Sequence, residues 1–207
     1  KRGISSSVIR RCAQLGLLYE GVYKKKEPDG LATYTPVCVF VGKDDTGTPR
    51  FACMRGINSD LRKDAYGSDK EYSFCLPPRK LDSRHVAVFE APIDALSHAT
   101  MQEMDGWKWN GYRLSLGGTS HVALLAFLER RPEIRHVNLY MDSDYAGLKN
   151  ACKIKDMLRA DPRFKHIRVG IHPPRQGKDY NELLQIKLQE RQKTPTRRLE
   201  QQAAISI

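Results

Sequence analysis

The stretch "HVNLYMDSDYAGLKNACKIKDMLRAD", His136 to Asp161, decides how the chain is read. An apolar run ends at Met141, aspartates follow at Asp142 and Asp144, and a long segment of helical spacing begins at once. That is one strand feeding one helix, and the same unit occurs three more times. "HVAVFE" leads into "APIDALSHATMQEM", with Pro92 in the first helical turn, where its missing N–H costs nothing. "GYRLSLG" leads into "SHVALLAFLERRP", and "HIRVGIH" into "KDYNELLQIKLQERQ". Four β–α units in succession predict an α/β fold: a four-stranded, mainly parallel sheet with helices on both faces.

The residues upstream keep a different rhythm. "ISSSVIRRCAQLGLLYE" has a serine-rich start and apolar Val8, Ile9, Cys12, Ala13 and Leu15, which predicts a short capped helix stopping near Gly16. "KKKEPDG" reads as a solvated loop. "PVCVFVGKDDTGTPRFACMRG" reads as two strands around an Asp-Asp-Thr-Gly turn, and "EYSFCLPP" as a third short strand. Pro77 to Asp82 marks a boundary. The expected organisation is a small α+β subdomain over residues 1–80, the α/β domain over 81–192, and a polar, frayed tail over 193–207.

Charge narrows the partners. The chain carries 35 Lys and Arg against 24 Asp and Glu, a formal +11, which favours a polyanion over an acidic small molecule. No apolar run approaches the ~20 residues that span a bilayer, so no membrane partner is expected. The opening Lys1-Arg2-Gly3 lacks both Met and a following apolar stretch, as a portion of a longer chain would, and gives no signal peptide. The five cysteines are widely spaced without a C-x-x-C pair, which predicts buried thiols and a reducing cytoplasm in place of a disulfide framework or zinc site.

A basic protein nevertheless gathers acids at one edge. In an open α/β sheet, functional groups collect at the carboxyl ends of the strands. Glu90 ends the first of the four strands, Asp142 and Asp144 follow the third, and Lys178 and Asp179 follow the fourth. Crowded carboxylates repel unless a cation joins them, and a small cluster of hard oxygen ligands suits Mg²⁺ or Mn²⁺. Asp144 alone is equally readable as a helix N-cap. Asp94, one helical turn after Glu90, is either a supporting acid behind the site or an exposed first-turn residue favoured by the helix dipole. Lys178 is either a phosphate ligand or an ordinary exposed lysine. "DGWKWNGYR" sets Trp107, Trp109 and Tyr112 among basic residues, as a stacking surface for single-stranded bases or as an aromatic plug on the sheet edge.

"VAVFEAPIDALS" followed by "LYMDSDYAGLKNA" resembles the Toprim domain of bacterial primases, type IA and type II topoisomerases and some nucleases. The hallmark glutamate and Asp-x-Asp are matched by Glu90, Asp142 and Asp144, the glycine turn by "SLGGTS", and the later acidic motif by "GKDYNELL" with Asp179. The preceding 80 residues are similar, in order, to the segment before Toprim in primase catalytic cores. Arg55 and Lys70 fall on that segment's basic positions. The resemblance implies nucleotidyl transfer on single-stranded DNA or a primer-template from nucleoside triphosphates, with Asp142 and Asp144 holding Mg²⁺ and Asp179 positioning a further ion. Glu90 would be ligand or general base, and Arg55, Lys70 and Lys178 would contact nucleic acid. The same pairing occurs in plasmid, mobile-element and phage proteins, where zinc-binding, helicase or relaxase domains can share the chain. Ala146 stands where topoisomerases carry a third aspartate, and their catalytic tyrosine domain has no counterpart in this sequence, so topoisomerase activity is not expected. A Toprim nuclease using water as nucleophile, and a non-catalytic DNA-binding or assembly module, are the alternative readings.

Overall fold

The computed structural model describes residues 2–205, and side chains over residues 2–193. Helix α1 (Ser6–Gln14) opens the chain, with the Ser5 side chain accepting from the Val8 N–H. Strands β1 (Leu18–Lys26), β2 (Ala32–Lys43), β3 (Pro49–Gly56) and β4 (Arg62–Asp64) form an antiparallel sheet in that order. The expected hairpin is β2–β3. The lysines read as a loop are instead the end of β1, paired from Lys24↔Tyr34 to Lys26↔Ala32. An edge strand carrying lysine discourages pairing with other chains, and the same charge disguises it as a loop.

The second sheet has the order β5-β7-β6-β8-β9. Its parallel strands are β6 (His85–Phe89), β7 (Tyr112–Ser115), β8 (His136–Tyr140) and β9 (Arg168–Ile171). These are the four strands read from the sequence. The fifth, β5 (Cys75–Leu76), comes from "EYSFCLPP" and pairs antiparallel with β7, so residues before Pro77 complete this sheet and not the hairpin. Helices α2 (Pro92–Asp105), α3 (Val122–Arg130), α4 (Tyr145–Ala160) and α5 (Tyr180–Ile205) follow β6, β7, β8 and β9. The backbone of α5 continues through most of the expected tail, so that segment is helical and not frayed; its side chains lie outside the described residues. Among the described residues no helix is long and apolar enough to cross a membrane.

Strand alternation assigns the two cores. Val86 and Val88 of β6 face α3 and α4 with Leu124, Leu139 and Ile154. Ala87 and Phe89 point the other way, into a cluster with α2 and α5 that also takes in Val8, Cys12, Phe40, Phe51 and Phe74. The two sheets therefore share one core, and Phe74, wholly buried and edge-on to Phe40 at 5.7 Å, joins them. Phe74→Ala is expected to cost about 3–5 kcal/mol, read as a lower urea midpoint in a single transition. Separate transitions for the two sheets would contradict a shared core. Cys12 and Cys53 are buried thiols, pushed up to about 11 by that burial, whereas Cys152 is exposed.

Candidate active site

Chain order places the site. From β6 the chain turns to β7 on one side, and β8 and β9 lie on the other. The crevice at the carboxyl ends of β6 and β8 is thus the point where the winding reverses, the usual ligand position of open α/β sheets. Register pairs Phe89 with Tyr140, so Glu90 and Asp142 leave adjacent strands at this point.

Each acid is fixed by local backbone structure. The Gly118 N–H donates to the Glu90 carbonyl at 3.1 Å, and the Ser115 hydroxyl donates to the same oxygen at 3.3 Å, so the glycine turn closes over Glu90. Gly117 and Gly118 both have positive φ, which only glycine adopts without strain. Asp144 caps α4, its Oδ1 accepting from the Gly147 N–H at 2.9 Å. Ser143 ties the loop to the next strand's exit: its N–H donates to the Lys178 carbonyl at 2.8 Å and its hydroxyl to the Gly177 carbonyl at 3.0 Å. A Cβ on Gly147 would stand 2.3 Å from the Asp142 carbonyl oxygen. Gly147→Ala is therefore expected to destabilise the protein by about 1–3 kcal/mol and to displace Asp142, with a matching loss of Mn²⁺ binding by calorimetry; unchanged Mn²⁺ affinity would show that the close approach is not needed.

The electrostatics are those of an anion cluster short of positive charge. Glu90 has its carboxyl pushed up by burial and by Asp142, against the pull of the Asp142 N–H and Lys178, and its Oε1 is buried with no hydrogen-bond partner among the described residues. Burial and Asp179 likewise push Asp142 up. Asp94 lies behind them on α2, 4% exposed, accepting from the Asn181 N–H at 3.1 Å. It is not the exposed first-turn residue of the dipole reading. Lys178 points its ammonium at the acids, 3.3 Å from Asp144 and 3.6 Å from Asp142. The Gly147 N–H first, then Lys178, hold Asp144 below the usual carboxylate range.

The structure brings Glu90, Asp142, Asp144, Lys178, Asp179 and Asp94 to one crevice. Asp179 caps α5, accepting from the Glu182 N–H at 2.7 Å. Among the described residues no three His, Cys, Asp or Glu side chains converge as a ready-made metal set. The donor set still fits a divalent cation: hard oxygens, a buried Glu90 oxygen without a partner, and mutual repulsion that an ammonium only partly offsets. Arg55 and Lys70 stand apart on the first sheet's unit. Arg55 donates to the Met54 carbonyl, and Lys70 pairs with Asp64 at 3.4 Å. Sequence reasoning did not find Asn181, 1% exposed, which donates to the Arg2 carbonyl at 2.8 Å and the Ser97 hydroxyl at 3.0 Å. These two partners lie 179 and 84 residues away in the chain, so no local pattern marks the contacts.

Residues 87–184 match the Toprim-like family model Toprim_2, and residues 1–80 match DUF3991, a protein family of unknown function. No curated protein matches the sequence. Among solved structures, the primase fragment of the bacteriophage T7 primase-helicase aligns over 94% of this chain and 70% of its own, at 19% identity and TM-score 0.58. The E. coli primase catalytic core aligns over 89% and 66%, at 15% and 0.56. The T7 primase domains bound to an RNA/DNA hybrid and dTTP, in a complex with the lagging-strand DNA polymerase, align over 87% and 80%, at 20% and 0.55. Residues 87–184 are thus similar to the Toprim-like family, in a chain whose fold resembles bacterial and phage primase catalytic cores.

Proposed function

We propose that this chain is a primase-like nucleotidyltransferase module that extends a 3′-hydroxyl on single-stranded DNA, in plasmid, mobile-element or phage replication or transfer. The observation that carries this reading is Glu90 beside Asp142 and Asp144 at the sheet's switch point, with a buried carboxylate oxygen that has no hydrogen-bond partner among the described residues. The alignment extends over both halves of the chain, which favours the primase reading over a Toprim domain used elsewhere.

Asp142 and Asp144 are the residues to hold Mg²⁺ or Mn²⁺, with Glu90 facing them and Asp179 at the rim. Such an ion supplies charge neutralisation for the attacking and leaving oxygens of an in-line displacement. Glu90, raised by burial, takes the proton of the attacking 3′-hydroxyl as the new bond to the α-phosphorus forms and pyrophosphate leaves. Lys178 sits where a phosphate arrives, and its ammonium exchanges the aspartates for that phosphate. Arg55 on β3 and Lys70 in the short turn beyond β4 hold the template backbone.

The test is incubation with single-stranded DNA, Mg²⁺ and labelled nucleoside triphosphates. Extension products support the proposal. Shortened DNA would replace it with a nuclease using the same acids. No change in either, in a protein that binds DNA, would make the chain an assembly module.

A further inference from the structure

At the opposite edge of the second sheet, the end of β5 and the start of β7 border a groove of about 510 Å³, the size of a small-ligand pocket. The loop between α2 and β7 forms one wall. Trp109 is the plug of that loop: Gly111 lies so close beneath it that a Cβ there would meet the indole at 2.4 Å. Trp107 is not a plug. It is 48% exposed, although Gln102 donates to its carbonyl at 2.8 Å. Its ring is edge-on to His98 at 6.0 Å with the Lys187 ammonium 5.7 Å from its centroid, so one indole is held in place with 48% of its residue still open to solvent.

The remaining lining is crowded with cations. Arg11 reaches in from α1, Arg79 and Lys80 from the segment joining the two sheets, and Lys108 from the tryptophan loop. Glu103 is the acid among the lining residues, and it is already shared by Arg79 at 3.0 Å and the Ser5 hydroxyl at 3.0 Å. Beneath them lies Arg113, 4% exposed. Its guanidinium stacks on Trp109 at 4.7 Å and donates to His98 Nδ1 at 3.2 Å and to Gln102, all neutral partners. His98 is kept neutral by burial first and then by Arg113 itself, pushed down to about 3. A buried guanidinium without a carboxylate is costly. This groove is therefore the counterpart of the acid cluster, short of negative charge where that site is short of positive.

We infer that this groove binds a nucleotide unit, its base stacked on Trp107 and its phosphate held by Arg79, Lys108 and Arg11. Stacking on an exposed indole beside guanidinium and ammonium groups tolerates any base and follows the backbone charge. A free nucleotide and one unit of a DNA single strand share this chemistry. The binding does not require the acids at the other edge, so it stands or falls independently of the catalytic proposal.

Both tryptophans of the chain line this groove, so tryptophan emission, excited beyond the tyrosine absorption band, reports on it. The full chain in EDTA would be titrated with a dodecamer of thymidylate and, separately, with dTMP, and the oligonucleotide followed also by anisotropy of a 5′ label. Quenching is expected, with affinity for the oligonucleotide falling as salt rises. The double variant Arg79→Glu, Lys108→Glu changes two exposed residues and should weaken binding about tenfold or more; Trp107→Ala should weaken it at least about fivefold. Glu90→Gln should leave the quenching unchanged. Tighter binding of the dodecamer identifies a strand as the source, and equal binding of dTMP a free nucleotide. Absence of quenching by both, or wild-type affinity in the charge-reversed variant, overturns the inference.

Discussion

Glu90→Gln and Asp142→Asn are each expected to lower nucleotide incorporation by about a thousandfold while raising the thermal midpoint of the metal-free protein. The two effects have one cause. Burial and mutual repulsion push both carboxyls above their ordinary range, so their charged forms are disfavoured in the folded protein. An amide of the same shape removes that cost and also removes the ligand. The expected gain is a few degrees without metal. Mn²⁺ should raise the wild-type midpoint according to its concentration relative to its dissociation constant and leave both variants nearly unmoved. Differential scanning calorimetry with and without Mn²⁺, beside the extension assay, checks this. Variants that melt earlier than the wild type in EDTA would mean that the acids hold the fold together, and the cation site would have to be abandoned.

This opposition between stability and function explains what the sequence could reveal. Strand β6 is legible because it is an almost continuous apolar run, and β8 because Val137 and Leu139 alternate with half-buried neighbours; acids follow both, and they are legible because nothing in a packed core calls for them. Asp144 was readable both as a cap and as a site residue, and it is both: one oxygen accepts from Gly147 while the other faces Lys178. Strand β1 was hidden by its own edge chemistry, since Lys24, Lys25 and Lys26 look like solvated loop in the absence of their partners on β2. The two-residue β5 is too short for periodicity to show which sheet it joins. Of the groove at the far edge, the tryptophan loop was legible as a stacking surface or a plug, and the cations that join it were not. Arg11, Arg79 and Trp107 come from three separated segments, and only the packing of α1 against α2 brings them together. Local chemistry was visible; juxtaposition was not.

Asp94 is expected to give the protein an inverted pH dependence. Its carboxyl is 4% exposed and pushed up to about 8, by burial first, then by Asp179, with Asp142 and Glu90 adding to it and the Asn181 N–H opposing. The unfolded chain ionises this group near 3.8. Between about pH 4 and pH 8 the folded protein therefore binds a proton that the unfolded chain has released, and stability falls as pH rises through that window. The loss attributable to this one group is on the order of 5 kcal/mol when complete. Asp94→Asn keeps an oxygen for the Asn181 N–H and cannot ionise. Urea denaturation at pH 4.5 and 8.5 should find the variant close to the wild type at the lower pH and several kcal/mol more stable at the higher one. Equal slopes with pH in the two proteins would show that Asp94 is ionised in the fold. A cation in the crevice weakens the hold on that proton, because its charge offsets the repulsion from Asp179, Asp142 and Glu90, while the effect of burial remains. Divalent-metal binding near pH 7 should release a proton in the wild type and less in Asp94→Asn, measurable by calorimetry in buffers of different ionisation enthalpy. Apparent Mn²⁺ affinity should accordingly rise with pH in the wild type more steeply than in the variant.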